Sequence, residues 1–196
     1  MLERLRPKLT KHLEPIAKRL NINPNIITII SPFIAIISAY FFASHHILLG
    51  GFFILLSGFL DVVDGAVARH HNRASSFGAF LDSTVDRFAD TIIYIGIIIG
   101  GYCDWFVGIL AIHSAITVSY VRSRAETQGI KCNVGIAERA IRLLLLVLGA
   151  LIVGFTNILG FGDTSIILTY FIYLLVILSY FTVGQRVYHT YKELNK

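Results

Sequence analysis

Four aspartates carry the chemistry that this sequence is equipped to do. Asp61 and Asp64 are three residues apart and Asp82 and Asp86 four apart, so each pair falls on one face of a helix, one turn apart. They stand in a chain that is 55% hydrophobic and only 15% charged, where a charge inside a bilayer is costly and marks function by default. Converging carboxylates repel one another unless something positive lies between them. Two arrangements meet that need: pairing with Arg69, Arg73 and Arg87, or binding of divalent cations. Oxygen-only ligation suits Mg²⁺, Mn²⁺ or Ca²⁺. The acids outnumber well-placed arginines, which favours the cation.

Small residues stand among the acids. Gly65 and Gly78 lie in helical stretches, where each costs roughly 1 kcal/mol relative to alanine. Together with Ala68 they clear space for a ligand to approach the backbone beside the cation site. Arg69 brings a guanidinium to the same mouth, a group suited to phosphate.

The elements that position these residues are membrane spans. With a mean hydropathy of +0.70 and several windows approaching the roughly 20 apolar residues that cross a bilayer, the chain is expected to be an all-α integral membrane protein. Six transmembrane helices are expected at Ile27–Ala43, Ile47–Arg69, Phe77–Gly100, Trp105–Val121, Ile136–Phe155 and Ile166–Val187. Leu2, Leu5, Leu9, Leu13, Ile16, Ala17 and Leu20 recur at helical spacing, with Arg4, Lys8, Lys11, Lys18 and Arg19 on other faces. That pattern predicts an interfacial amphipathic helix over residues 1–25, leading into one membrane domain spanning 1–196. All 17 lysines and arginines fall at the termini, in two connections or in the helix ends bordering them, and the three opposite connections have none. The positive-inside rule then puts both termini and the acids on the cytoplasmic side of the cell membrane.

In this topology Asp61 lies about 21 Å along its span, and Asp82 and Asp86 about 8 and 14 Å in from the cytoplasmic end. Both acid pairs are therefore expected at one depth, on antiparallel helices brought together by a short loop. Cys103 and Cys132 fall on opposite sides and cannot pair. The basic residues lie against membrane spans, which makes nucleic acid a poor partner. The adjacent His45–His46 and His70–His71 point in different directions and are not read as metal ligands. Asp90 continues the Asp82/Asp86 face, and either supports the site or pairs with Arg87. Gly96 and Gly100 form a small-xxx-small pattern that marks a helix contact within the bundle or across a dimer.

A second basic stretch, Tyr120 to Leu143, brings Arg122, Arg124, Lys131, Arg139 and Arg142 near the same face. Arg139 and Arg142 share a helix face close to that helix's N-terminus, where a phosphate also feels the dipole. Charge alone reads the stretch as membrane-surface binding or topology control. Arg186 lies near the cytoplasmic end of the last span, where snorkelling alone accounts for it.

Asp61-x-x-Asp64-Gly65-x-x-Ala68-Arg69, eight residues, then Gly78-x-x-x-Asp82-x-x-x-Asp86 resembles the signature of the CDP-alcohol phosphatidyltransferases at every defining position. The resemblance extends to Asn23–Ser31 at the entry of the first span and to the six-span layout. It implies transfer of a phosphatidyl group from a CDP-activated lipid, CDP-diacylglycerol or CDP-archaeol, to an alcohol, with release of CMP. Asp61, Asp64, Asp82 and Asp86 match the acids that hold two divalent ions, Mg²⁺ or Mn²⁺, and Asp86 also the general base. Gly65, Ala68, Arg69, Ser75 and Gly78 match positions that line the cytidine and diphosphate. Homodimers are common in the family.

Within the family, the run from Arg124 through Arg142 resembles the branch that makes phosphatidylinositol phosphate or archaetidylinositol phosphate. There the acceptor is inositol 1-phosphate, and Arg122, Arg139, Arg142 and Arg186 match the cradle for its phosphate. The branch carries lysine where Arg122 stands here, and arginine binds phosphate with a different geometry. Glycerol 3-phosphate is the alternative acceptor, since it also needs a basic pocket. A divalent-cation transporter or channel, with the acids as a selectivity ring, is the alternative from another class.

Overall fold

A computed structural model describes residues 22–196, together with Pro15 and residues 18–20. Most of the interfacial helix expected over residues 1–25 lies outside the described residues. Six helices follow: α1 (Pro24–Ala43), α2 (Ile47–His70), α3 (Ser76–Ile99), α4 (Trp105–Thr127), α5 (Arg139–Ile158) and α6 (Ile166–Leu194). Five of them are long and apolar enough to cross a membrane, with mean hydropathies of 1.3 to 2.3. The exception, α3, is equally long but carries Asp82, Asp86, Arg87 and Asp90. Large apolar side chains such as Phe33, Phe80 and Ile177 cover the outside, more than 60% exposed, as expected of a surface that meets lipid rather than water. This is a multi-pass membrane protein.

Several helices run beyond the limits set by hydropathy. α4 continues past Val121 to Thr127, and α6 past Val187 to Leu194. Apolarity marks where the membrane ends, whereas a helix continues for as long as its backbone bonds and side-chain contacts hold it. α5 starts late, at Arg139, because residues 128–138 form a strap tied down on α6. Thr182 Oγ1 accepts from the backbone N–H of Ile136 (3.1 Å) and of Ala137 (2.9 Å). Arg186 donates from Nε to the Val134 carbonyl (2.9 Å) and from Nη1 to the Val118 carbonyl (2.5 Å). The strap presses so close that a Cβ on Gly135, whose φ is +117°, would fall 2.4 Å from Thr182 Cγ2.

α1 is the common wall of the acidic region. It packs on both α2 and α3, whereas α2 and α3 share little packing of their own. The short 71–75 connection does not press them together as the loop length suggests; it leaves them splayed over α1. The Gly96–Gly100 pattern fixes one half of that arrangement. A Cβ at Gly96 would lie 2.4 Å from Ala39 Cα, and one at Gly100 would lie 2.4 Å from the Phe42 carbonyl oxygen. The pattern therefore seats α3 against α1 inside the bundle, resolving the choice left by the sequence.

Candidate active site

The splay of α2 from α3 opens a cleft of about 540 Å³ floored by α1. From α2 it is lined by Asp64, Gly65, Ala68 and Arg69; from the connection and α3 by Arg73, Ala74, Ser75, Gly78, Ala79 and Asp82; and from α1 by Pro24, Asn25 and Thr28. All five residues matched by resemblance to the cytidine diphosphate site, Gly65, Ala68, Arg69, Ser75 and Gly78, face this one space. Their backbone is held by end caps. Asn23 accepts from the Asn25 N–H at 3.1 Å, with Pro24 at the first turn of α1, where its missing N–H costs nothing. Ser75 caps α3, accepting from the Gly78 N–H at 3.0 Å, a bond worth about 1 kcal/mol. A Cβ on Gly78 would stand 3.2 Å from both Asn25 Oδ1 and Ser75 Oγ, and one on Gly65 3.2 Å from Arg69 Nη1. The glycines thus keep the cleft from being filled by their own helices.

At its inner end the cleft reaches the acids. Carboxylate oxygens of Asp61, Asp64 and Asp82 all lie within 4.8 Å of one another. Asp64 is the most buried of the three, 7% exposed, and takes a 2.6 Å hydrogen bond from Thr28 Oγ1, which in turn is close to the Pro24 carbonyl (3.2 Å). Three carboxylate groups converging from two helices, with oxygen donors alone, fit a hard divalent cation. Asp86 borders this trio and pairs with Arg139 Nη1 at 2.7 Å, and the same Nη1 reaches Asp61 at 3.2 Å. The guanidinium that meets the acids comes from α5, and Arg87 donates instead to the Ser83 carbonyl of its own helix.

The four arginines matched to the acceptor phosphate lie outside the lining of the cleft, each already engaged with protein. Arg139 bridges Asp61, Asp86 and, through Nε, Asp90 (3.1 Å). Arg142, 2% exposed, donates to Asp90 at 3.0 Å and to the Ala137 carbonyl at 3.0 Å. Arg186 holds the strap, as described. Arg122 is exposed, paired with Glu126 at 2.9 Å and donating to Asn133 at 3.3 Å. Of the four, Arg139 alone contacts the acid cluster. Buried Nη2 of Arg139 and Nε of Arg142 have no hydrogen-bond partner.

Sequence reading missed Asn25, Thr28 and Arg73 as cleft residues, and it left Asp90 undecided. Asn25 and Thr28 stand within the quoted Asn23–Ser31 stretch, but a lone amide and a lone hydroxyl on another helix carry no spacing signal toward Asp64. For Asp90 the helix period offered Arg87 as the near partner. The arginines that take it are 49 and 52 residues away.

Known proteins resemble this chain in both sequence and architecture. Archaetidylinositol phosphate synthase of Methanothermobacter thermautotrophicus is 42% identical over 99% of this chain and 96% of its own length. The enzyme of that description from Pyrococcus horikoshii is 39% identical over 99% and 98%. Among solved structures, phosphatidylinositol phosphate synthase of Mycobacterium tuberculosis with CDP-DAG bound superposes with a TM-score of 0.79 at 26% identity, covering 91% of this chain and 92% of that one. A second crystal structure of that synthase, in complex with manganese and citrate, gives 0.78 at 25% identity, covering 90% and 88%. The sequence pattern of the CDP-alcohol phosphatidyltransferases matches residues 21–184, and at this identity and coverage the chain belongs to that family.

Proposed function

We propose that the protein transfers the phosphatidyl-type group of a CDP-activated lipid to the hydroxyl of inositol 1-phosphate, releasing CMP, and that its donor is CDP-archaeol. The observation that carries this reading is the junction at Arg139, where an open cleft running into three clustered carboxylates meets a buried guanidinium delivered by α5. The identity of the relatives supports the acceptor and the donor lipid.

In this reading the cytidine diphosphate lies along Gly65, Ala68, Arg69, Ser75 and Gly78, with Asn25 closing its floor. Asp61, Asp64 and Asp82, with Asp86 beside them, would hold Mg²⁺ or Mn²⁺. Bound there, such an ion offsets the charge that builds on the departing CMP. The acceptor hydroxyl oxygen attacks the lipid-side phosphorus, the bond from that phosphorus to the CMP oxygen breaks, and the hydroxyl proton passes to Asp86. Arg139 pairs with Asp86 at 2.7 Å, so an acceptor phosphate gripped by that guanidinium brings its ring hydroxyl close to the base. Arg122, Arg142 and Arg186 complete the basic side.

The same reading places α3 as a sixth span, its charges gathered at the cytoplasmic end. It puts both termini and the site on that side of the cell membrane, and treats residues 1–196 as one domain working as a homodimer. The lysine and arginine distribution supports the orientation.

The test offers purified protein CDP-archaeol or CDP-diacylglycerol against inositol 1-phosphate, glycerol 3-phosphate, free inositol and serine, with Mn²⁺ or Mg²⁺, and follows CMP. Release only with inositol 1-phosphate is expected. Faster release with glycerol 3-phosphate would reassign the acceptor, and no release in any combination would end the enzyme reading.

A further inference from the structure

We infer that Asp90 is the positioning residue of the acceptor side: its carboxylate sets the direction in which the Arg139 guanidinium presents its donors to substrate. The inference rests on the acceptor reading above. Asp90 lies one turn deeper than Asp86 on the same face of α3 and is 7% exposed. Both of its oxygens are occupied by α5, Oδ1 by Arg139 Nε at 3.1 Å and Oδ2 by Arg142 Nη2 at 3.0 Å. α3 and α5 share little other packing, so this carboxylate and Asp86 tie the helix that carries the base to the helix that carries Arg139 and Arg142.

A guanidinium is a rigid planar fork, so two fixed nitrogens fix the third. With Nε on Asp90 and Nη1 on Asp86 and Asp61, the Nη2 group of Arg139 has its direction imposed. It is the buried donor of that fork without a protein partner, the one left for an acceptor phosphate. Arg142 is held in the same way, Nη2 on Asp90 and Nη1 on the Ala137 carbonyl. Asp90 touches none of the reacting atoms in this arrangement; it works through Arg139.

A carboxylate that only welds two helices together would affect stability and both substrates alike. One that aims Arg139 affects the acceptor. The experiment uses the full chain in lipid nanodiscs and compares Asp90→Asn and Asp90→Glu with the parent. For Asp90→Asn, KM for inositol 1-phosphate should rise tenfold or more while KM for the CDP-lipid stays within twofold; Asp90→Glu, which keeps the charge, should recover part of the loss. Mn²⁺ affinity, read by electron paramagnetic resonance without substrate, gives an independent measure. Because Arg139 also contacts Asp61 and Asp86, Asp90→Asn should shift the Mn²⁺ dissociation constant about fivefold in the parent but under twofold in an Arg139→Gln background. Equal shifts in the two backgrounds, or a parallel rise in both KM values with lowered thermal stability, would overturn the inference. If the parent shows no turnover with inositol 1-phosphate, the acceptor reading fails, and the Mn²⁺ comparison alone decides whether Asp90 aims Arg139.

Discussion

The two sides of the site are built on opposite principles. The cleft between α2 and α3, the donor side in the proposed reading, is made by leaving atoms out: Gly65, Ala68, Gly78 and Ala79 face a space that larger side chains would fill. The basic region, the acceptor side in the proposed reading, is made by tying atoms down, with Asp90, Thr182 and backbone carbonyls engaging Arg139, Arg142, Arg186 and the strap. An extended, conformationally demanding donor such as a nucleotide diphosphate calls for room along its length. A small phosphorylated acceptor calls for a few donors aimed with little freedom, because their ordering has been completed before the ligand arrives. A substitution on one side should therefore act on one substrate.

The largest effect is expected where the sides meet. Asp86→Asn removes the proposed proton acceptor while keeping the shape and one acceptor oxygen facing Arg139. Turnover should fall by about 10²–10⁴-fold or more, with CDP-lipid affinity by calorimetry changed only a few-fold. Chelation of divalent ions should stop CMP release just as fully, and Mn²⁺ should restore it. Normal turnover in Asp86→Asn would remove the base assignment.

Gly78→Ala is expected to act on the donor side alone. The added methyl falls 3.2 Å from Asn25 Oδ1 and Ser75 Oγ, so these polar groups at the cleft wall must shift. KM for the CDP-lipid should rise about tenfold, which corresponds to about 1.4 kcal/mol, while KM for inositol 1-phosphate holds. Alanine is the better helix former by roughly 1 kcal/mol, so thermal stability should not drop. A loss of affinity accompanied by unchanged or higher stability separates a cleft effect from damage to the fold.

Opposite construction also governs what the sequence discloses. The donor side and the acids are legible because their residues sit on two adjacent helices at helical spacing, and a motif is a record of such spacing. Even there the splay was not legible: a five-residue connection suggests packed neighbours, and only the seating of Gly96 and Gly100 on α1 explains why α3 leans away. The contributions of Asn25 and Thr28 depend on which helix lies beneath the cleft, a tertiary fact. On the acceptor side the arginines were visible but their partners were not. Nothing local joins Asp90 to Arg139, or Thr182 to residues 45 and 46 positions earlier. Charge could be counted from the sequence; its commitments could not.

Thr182→Val tests those commitments at their most distant point. Valine keeps the volume but cannot accept the N–H groups of Ile136 and Ala137, and an unsatisfied buried donor costs about 1–3 kcal/mol. The strap should loosen just ahead of Arg139, lowering thermal stability and raising KM for inositol 1-phosphate a few-fold, with KM for the CDP-lipid unaffected. A comparable change in both would mean that the two sides are mechanically coupled through α5.

The smallest expected effect runs in the favourable direction. Arg122 and Glu126 form an exposed i,i+4 pair on α4, their side chains 45% and 47% exposed, and pairs of this kind contribute about 0.3–0.5 kcal/mol. If Arg122 serves the acceptor phosphate, Glu126 competes with that phosphate for the same guanidinium. Glu126→Gln should then lower KM for inositol 1-phosphate about twofold at little cost in stability, and the gain should shrink as ionic strength rises. Arg122→Gln should raise that KM by about threefold, less than Arg139→Gln, because Arg122 is solvated and makes no contact with the acids. If neither Glu126→Gln nor Arg122→Gln moves the acceptor KM, Arg122 belongs with the strap through Asn133, and the acceptor side contracts to Arg139, Arg142 and Arg186.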